Sequence, residues 1–384
     1  MANDLQLPQQ LASANQTLTA QCHCKSVHIT ITIPTSTLPL PVHICHCQIC
    51  RNIHGTPCSF HAPLPQGIQP EFISPSSLET SLTGYMHKLA KSERFFCSTC
   101  GCHIGDRDLE LDSGTGKPKW HIATSIFTPN SESYFQLRSH AFTASSKGDG
   151  LYSWLPSVNG RELHTWNPAP DDHEFSIPRA ETPEPQFDDQ GNQVLLAECH
   201  CSGVKFTIPR PTAEEKSDPF LSRFISREDD SKRVACLCVC TDCRLVDGTH
   251  VIGWAFAPLK SLQPSIPANF TGFGTLKAYR SSENVLRGFC GKCGATVFYT
   301  SDDEKRAPTE EKRVVDIAVG ILRAPEGDVA AEKWLTWRTG RLAKMQSGKD
   351  YDNSFAESLK KGMEDWGRKK YGKVVEFNIP QDDA

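Results

Sequence analysis

Paired cysteines dominate the chemistry that this 384-residue sequence can perform. Most of its 17 cysteines belong to one pattern that occurs twice: a C-x-C pair, a C-x-C-x-x-C group of three, and a C-x-x-C-G pair. The members are Cys22, Cys24, Cys45, Cys47, Cys50, Cys97 and Cys100 in the first copy, and Cys199, Cys201, Cys238, Cys240, Cys243, Cys290 and Cys293 in the second. From Cys45 and Cys238 onward, the two copies keep a constant offset of 193 residues. Thiols at these spacings bind a soft tetrahedral cation, so the sequence predicts a duplicated zinc module.

Each module has more cysteines than one tetrahedral ion can use, and four plus three is the natural division. The C-x-x-C-G turn directs two thiolates at one point, and a C-x-C at the entry to a strand adds two more from one face. The two predicted closed sites are therefore Cys22, Cys24, Cys97 and Cys100 in the first module, and Cys199, Cys201, Cys290 and Cys293 in the second. Closed four-cysteine sites are structural and contribute directly to folding.

The remaining cysteines form two trios, defined as Cys45, Cys47 and Cys50 (the first trio) and Cys238, Cys240 and Cys243 (the second trio). Three ligands and one open position are typical of a zinc ion that acts on an exogenous ligand, and a thiol bound there loses its proton. The fourth position could instead be filled by water, or by His43 and Cys236, which occupy matching positions two residues before each trio. A redox-labile trio is a further alternative. Because Cys236 offers a soft thiolate, we expect the first trio to keep the exchangeable position.

Two pairs of arginines recur in both copies. Arg51 and Arg244 directly follow the trios. They either bind a carboxylate or thiolate of a ligand or pack on the cysteine loop, and Arg51 is assigned with Cys45, Cys47 and Cys50 to the catalytic set. Arg94 and Arg287 precede the C-x-x-C pairs and are more typical of exposed ion pairs.

Hydrophobic alternation between these motifs predicts a mainly β protein. Val27, Ile29, Ile31 and Ile33 alternate with polar residues, as in a half-buried strand, and Pro, Gly and Ser separate the short apolar runs. The predicted organisation is a disordered leader over 1–17, a first domain over 18–165, an extended linker over 166–193 and a second domain over 194–384. The second domain ends in an amphipathic helix with its apolar face on that same domain; the face comprises Phe355, Leu359, Met363 and Trp366.

Composition excludes several classes of protein. No apolar run approaches the roughly 20 residues of a membrane-spanning helix. The net charge of −4, without a basic run, does not favour a nucleic-acid partner. The first residues show no secretory signal, and closely spaced cysteine pairs favour metal over disulfides. We therefore expect a cytoplasmic protein.

The motifs resemble those of one known family. Cys45-His-Cys-Gln-Ile-Cys-Arg-Asn-Ile-His-Gly55 with Phe96-Cys-Ser-Thr-Cys-Gly101 is similar to the glutathione-dependent formaldehyde-activating enzyme family, which also contains centromere protein V. Cys238-Val-Cys-Thr-Asp-Cys-Arg-Leu-Val-Asp-Gly248 with Phe289-Cys-Gly-Lys-Cys-Gly294 resembles it equally. The resemblance extends over roughly 18–140 and 195–325, and the tandem duplication departs from a single-module enzyme.

The resemblance implies two tandem β-tent zinc-binding domains, similar to methionine sulfoxide reductase B. It also implies a structural four-cysteine zinc and a three-cysteine zinc near a glutathione site, which gives about four Zn²⁺ ions per chain with glutathione as co-substrate. Arg51 and Arg244 would bind that thiol. The expected activity is of the carbon–sulfur lyase type, making or breaking a carbon–sulfur bond between a glutathione-like thiol and a small electrophile. The alternative is a non-catalytic zinc scaffold for protein partners. The sequence leaves the electrophile and the oligomeric state open.

Overall fold

A computed structural model of the protein describes residues 14–128, 130–169, 183–304, 306–326 and 329–379. Within these ranges the chain is mainly β, as the sequence predicts. The strands of the first module are β1 Asn15–Gln21, β2 His28–Pro34, β3 Leu40–Cys45, β4 Ser59–Pro63, β5 Glu71–Phe72, β6 Leu82–Tyr85, β7 Ser92–Cys97, β8 His103–Leu111, β9 Pro118–Ala123, β10 Phe127–Thr128, β11 Phe135–Ala141, β12 Ser157–Val158, β13 Arg161–Glu162 and β14 His164–Trp166. Those of the second are β15 Gln186–Phe187, β16 Gln193–Glu198, β17 Lys205–Pro209, β18 Arg233–Cys238, β19 Ile252–Pro258, β20 Leu276–Ser282, β21 Val285–Cys290, β22 Thr296–Ser301, β23 Val314–Ala318, β24 Leu322–Arg323 and β25 Leu335–Trp337.

The two modules share the order of their central strands and differ in the edge strands β5, β14 and β15. The first has a small sheet in the order β10-β1-β2-β5 and a large sheet in the order β14-β11-β3-β4-β9-β8-β7-β6. The second has a small sheet β15-β16-β17, with β24 also on β16, and a large sheet β20-β21-β22-β23-β19-β18-β25. Pairing is antiparallel except beside β3 and β18, which pair in parallel with β11 and β25, and between β11 and β14. The duplication seen in the cysteines is thus a duplication of topology, while the tent arrangement of the sheets stays a prediction.

The predicted domain boundaries need adjustment at the two places where the structure describes them. Strand β1 begins at Asn15, inside the predicted leader, because its residues pair with β2 as far as the Asn15–Pro34 rung. The rest of that leader, residues 1–13, lies outside the described residues. The predicted linker contains β15, which pairs with β16, and its residues 170–182 also lie outside the described part.

The helices are few and mostly short. They are α1 Gln48–His54, α2 Leu78–Ser81, α3 Leu151–Trp154, α4 Ala213–Ser217, α5 Thr241–Asp247 and α6 Met345–Tyr371. Short 3₁₀ turns occur at Thr35–Thr37, Thr124–Ile126, Thr143–Ser146, Leu221–Phe224, Leu259–Ser261, Glu310–Lys312 and Val319–Ile321. None of the helices that the structure describes is long and apolar enough to cross a bilayer.

The two modules face each other through paired, equivalent contacts, as the halves of a twofold dimer do. The backbone N–H of His23 donates to the carbonyl of Leu245 at 3.1 Å, and that of His200 donates to the carbonyl of Asn52 at 3.1 Å. The rings of His23 and His200 lie 2.7 Å and 2.8 Å from the hydroxyls of Tyr279 and Tyr85, respectively. Each C-x-C loop is therefore bound to the trio helix (α1 or α5) of the other module.

Two glycines make this close approach possible. Gly55 and Gly248 end α1 and α5 with φ of 78° and 68°, a left-handed conformation that favours glycine. A Cβ at Gly55 would collide with the backbone of Thr296, and one at Gly248 with the backbone of His103. The glycine that follows each trio in the sequence thus serves both helix termination and contact between the modules.

Helix α6 packs against both modules, whereas the sequence suggested docking on its own domain alone. Its apolar face is buried as predicted, with Trp366 5.7 Å from the ring of Trp154 and Phe355 5.8 Å from that of Phe60, both in the first module. Its Tyr351 hydroxyl lies 2.9 Å from the carbonyl oxygen of Ser125. The helix bends at Asp352, where φ and ψ of −149° and 90° are non-helical. The C-terminal segment therefore helps to hold the modules together.

Replacing Gly362 with alanine tests this contact, because its effect should have the opposite sign to that in an isolated helix. Alanine in a helix interior usually stabilises by about 1 kcal/mol relative to glycine. Here the added methyl group would collide with the carbonyl of Trp154, and overpacking of this kind costs about 1–3 kcal/mol. We expect Gly362→Ala to lower the midpoint of thermal unfolding, while Lys361→Ala, at the exposed neighbouring position, leaves it nearly unchanged. A stabilised Gly362→Ala protein would contradict the packing.

Candidate metal centres

The structure brings together all four predicted cysteine groups. All 17 cysteines lie in the described ranges, and none forms a disulfide. In each four-cysteine set the sulfur atoms lie within 4.8 Å of one another. The Sγ–Sγ distances include 3.5 Å for Cys22–Cys24, 3.8 Å for Cys22–Cys97 and 3.4 Å for Cys201–Cys290. These thiols are brought together from two turns that are far apart in the sequence.

These sulfur distances fit a tetrahedral zinc ion. Four Zn–S bonds of about 2.3 Å at tetrahedral angles separate the sulfurs by ~3.8 Å, close to what is observed. The donor set also fits, because thiolates are the ligands that structural zinc prefers. In the first set Cys22, Cys97 and Cys100 are buried. The two sets, Cys22/Cys24/Cys97/Cys100 and Cys199/Cys201/Cys290/Cys293, can therefore each hold one ion in a closed site.

Each trio is built around the start of a short helix. Cys47 and Cys240 are the N-caps of α1 and α5, and their sulfurs accept the backbone N–H of Cys50 and Cys243 at 3.3 Å. The first cysteine of each trio ends the preceding strand, β3 or β18. The three sulfurs of each trio lie within 4.8 Å of one another. Strand end, cap and first helical turn thus point three thiols at one place.

Neither of the two residues considered as a fourth ligand joins these groups. Among the described residues, the sulfurs that lie within 4.8 Å of one another at each trio are those of the three cysteines. His43 is exposed, and its Nδ1 lies 2.8 Å from the Ser139 hydroxyl. Cys236 is buried in β18 outside the group. At neither trio, therefore, do His43 or Cys236 fill the fourth position of a tetrahedral ion.

Arg94 and Arg287, expected in exposed ion pairs, instead contact the trios. Arg94 Nη2 lies 3.8 Å from Cys50 Sγ, and Arg287 Nη1 lies 3.5 Å from Cys243 Sγ. Arg287 is only 3% exposed and its Nε donates to Ser281 Oγ at 3.0 Å, so it is not an exposed surface residue. Burial favours a lower pKa for Arg287, but the negative charges of Cys243, Asp247 and Cys240 together outweigh it and raise that pKa. The identical offset of the two arginines from their C-x-x-C pairs was the signal in the sequence.

Arg51 and Arg244 are directed at backbone carbonyls. Arg51 donates to the carbonyls of His46 and Ser145, both at 3.0 Å. Arg244 donates to the carbonyl of Ser125, and its guanidinium lies 3.5 Å from the centre of the Tyr351 ring. These contacts stabilise the positions of the trio helices. Binding of glutathione by Arg51 and Arg244, and a catalytic role for Arg51, stay predictions.

A cavity of about 280 Å³ opens on the second trio. Its walls include the second-trio cysteines, the aromatic rings of Trp254, Phe256 and Tyr299, and the ion pair of Arg306 with Asp316. A mainly apolar lining with a few placed charges is typical of small-molecule sites, which begin at volumes near ~300 Å³. The second trio, which we expected to be the more inert, thus has an accessible cavity. The exchangeable site that we expected at the first trio stays a prediction.

Comparison with known proteins places these groups in a family. A sequence model described as glutathione-dependent formaldehyde-activating enzyme matches residues 17–145 and 225–338, one segment in each module. Together these segments make up more than half of the chain. No curated protein matches the sequence.

The four cysteine groups should each retain one zinc ion. The protein is first dialysed against a chelator that is too weak to remove thiolate-bound zinc. Elemental analysis should then find about four zinc ions per chain. Cys58→Ala is the matched control, because Cys58 is buried outside every group and its loss should not change the count. Two ions per chain would mean that the trios hold no metal.

Serine substitutions should separate closed from open sites. Cys97→Ser and Cys290→Ser remove a ligand from a closed site, whose bound ion contributes folding free energy directly, and should abolish cooperative unfolding of the affected module. Cys47→Ser should leave a folded protein, because the first trio lies at the start of one short helix. Circular dichroism during heating checks this, and a common collapse of all three variants would contradict the division.

Proposed function

Because the chain belongs to the glutathione-dependent formaldehyde-activating enzyme family, we propose that it is a zinc-dependent enzyme that makes or breaks a carbon–sulfur bond between glutathione and a small electrophile. The observation that carries the proposal is the cavity on the second trio, with a buried arginine against its third sulfur. An open three-cysteine site in contact with solvent suits an exchangeable thiol. A purely structural site has no need of such an opening.

The reaction is addition of a thiol to a carbonyl carbon, or its reverse. The sulfur lone pair forms the carbon–sulfur bond, the carbonyl electron pair moves to oxygen, and the proton released by the thiol is delivered to that oxygen. When bound by a trio, zinc supplies an open position at which a thiol ionises near neutral pH. The protein residues position the two reactants and exclude water, and proximity of this kind accounts for a large part of catalysis.

Charge balance explains why an arginine is needed there. Three thiolates and one divalent cation carry a net charge of −1, and a fourth thiolate makes it −2 in a half-buried site. A buried excess of charge is costly unless it is paired. Arg287 lies against Cys243 and over the ring of Tyr299 at 4.9 Å, so its fixed positive charge offsets the added thiolate. Arg94 occupies the equivalent place at the first trio.

The cavity of the second module is the better candidate for the substrate-binding site. Trp254, Phe256 and Tyr299 give the cavity apolar walls, and the Arg306–Asp316 pair and Lys344 place charges at its margin. Glutathione carries two carboxylates and one ammonium group, which such charges can bind. The catalytic assignment of Cys45, Cys47, Cys50 and Arg51 remains part of the proposal, with each module able to act.

A cobalt-substituted protein tests thiol binding directly. Glutathione should change the cobalt absorption spectrum, while S-methylglutathione, which keeps both carboxylates but has no free thiol, should not. Closed four-cysteine sites are saturated and should not respond. An unchanged spectrum with glutathione would reject the enzyme proposal and favour the non-catalytic scaffold.

Paired variants then assign the responding module. Because hydrogen bonds to charged groups contribute about 1.5–3 kcal/mol, Arg287→Met should weaken glutathione binding by about 10-fold or more. Arg94→Met is its counterpart in the first module, and Cys240→Ser and Cys47→Ser remove one ligand from each trio. A spectral response lost only in the Arg94 and Cys47 variants would place the thiol site in the first module.

A further inference from the structure

A row of titratable side chains crosses the large sheet of the first module beside the first trio. Arg94 on β7 pairs with Asp106 on β8, and Asp106 pairs with His121 on β9. His61 on β4 lies diagonally across from His121, since the β4–β9 rungs are His61–Ala123 and Pro63–His121. Side chains at such positions share one face of a sheet and contact one another.

Three of these side chains, with Asp108, converge on a small volume. His61 Nδ1 lies 2.9 Å from Asp106 Oδ1, His121 Nδ1 lies 3.3 Å from Asp106 Oδ2, and His121 Nδ1 lies 3.8 Å from Asp108 Oδ1. One ligand atom from each of Asp106, Asp108 and His121 lies within 4.8 Å of the other two. The side chains are 13–34% exposed, so the cluster is half-buried but open to solvent.

We propose that Asp106, Asp108 and His121, with His61 positioned against Asp106, form a binding site for a divalent transition-metal cation, separate from the four cysteine groups. Two ligand atoms about 2.1 Å from one ion lie ~3.0–3.4 Å apart at octahedral or tetrahedral angles, which matches the closer of these contacts. Imidazole nitrogens with carboxylate oxygens suit zinc, iron(II), cobalt(II) or manganese(II). One imidazole with two carboxylates leaves positions open on such an ion.

The cluster offers two carboxylates to a cation. Asp106 presents one carboxylate oxygen to each imidazole, Oδ1 to His61 and Oδ2 to His121. Asp106 and Asp108 thus bring two negative charges to one place. The nearby positive charges are those of Arg94, which also contacts Cys50, and Lys119. His61 Nε2 is a buried atom without a hydrogen-bond partner among the described residues.

The second module provides an internal comparison. The equivalent positions there are Trp254 for His61, Tyr299 for Asp106, Ser301 for Asp108 and Asp316 for His121. Of these only Asp316 is a strong metal ligand, and it pairs with Arg306. Equivalent strand positions therefore line an apolar cavity in the second module and provide nitrogen and oxygen ligands in the first. The site belongs to the first module alone.

The test is an ion count on the full-length protein with its cysteine-bound zinc in place. After equilibrium dialysis against free cobalt(II), total bound zinc plus cobalt should be one ion per chain higher in the wild type than in Asp106→Asn. Replacement of zinc by cobalt at the cysteine sites leaves this total unchanged. The difference does not depend on glutathione binding, so it can fail or succeed independently of the proposed enzyme function.

Matched variants keep the result decisive. Tyr299→Phe, at the position equivalent to Asp106, should retain the wild-type count. His121→Gln is the second variant, in case Asp106→Asn does not fold, because His121 is the more exposed ligand. It should lose the same ion while its circular dichroism spectrum stays unchanged. Equal totals in the wild type and His121→Gln would overturn the proposal and leave the cluster as a hydrogen-bonded network. Loss of the ion in Tyr299→Phe as well would place it elsewhere.

Discussion

Four thiol groups at one point are the constraint on which both modules depend. Thiolates 3.4–3.8 Å apart repel strongly, since two unit charges at about 4 Å interact by ~4 kcal/mol in a partly polar environment. A bound cation converts this repulsion into attraction and ties the turn after β1 to the turn after β7. The same C-x-C turn carries His23, or His200 in the second module, whose backbone N–H binds the trio helix of the other module. Each closed site therefore supports the open site of its partner module, in addition to its own fold.

The large sheets of the two modules carry different side chains at several equivalent positions. Arg94 and Arg287 keep the same contact with the third cysteine of their trio. Beyond them, the same rungs carry His61, Asp106 and His121 in one module and Trp254, Tyr299 and Asp316 in the other. Aromatic rings build apolar walls and exclude water, whereas imidazoles and carboxylates attract protons or metal ions. The two trios thus act in different surroundings, and equal chemistry at both is not required.

The sequence predicted the features that depend on local spacing. The cysteine groups, the strands and the apolar face of α6 follow from spacings of two to four residues, and the duplication follows from the constant offset of 193 residues. The surroundings of the trios depend on which strands become neighbours, and this could not be deduced from spacing. Thus Arg287 was expected at the surface and is buried on Cys243, and Asp106 contacts His121 because β8 and β9 become neighbours. Docking of α6 on the first module was missed for the same reason, since an apolar helix face does not specify its partner.

The contact between the modules also limits what each could do alone. The trio helices are only seven residues long, below the length at which a helix is stable in water without tertiary contacts. Their last turns receive hydrogen bonds from the opposite C-x-C loop, and their terminal glycines lie against the opposite backbone. A module separated from its partner would lose these contacts at the helix that contains the third trio cysteine and is capped by the second. The open sites therefore depend on the tandem arrangement, because each module stabilises the helix that positions the trio of the other module.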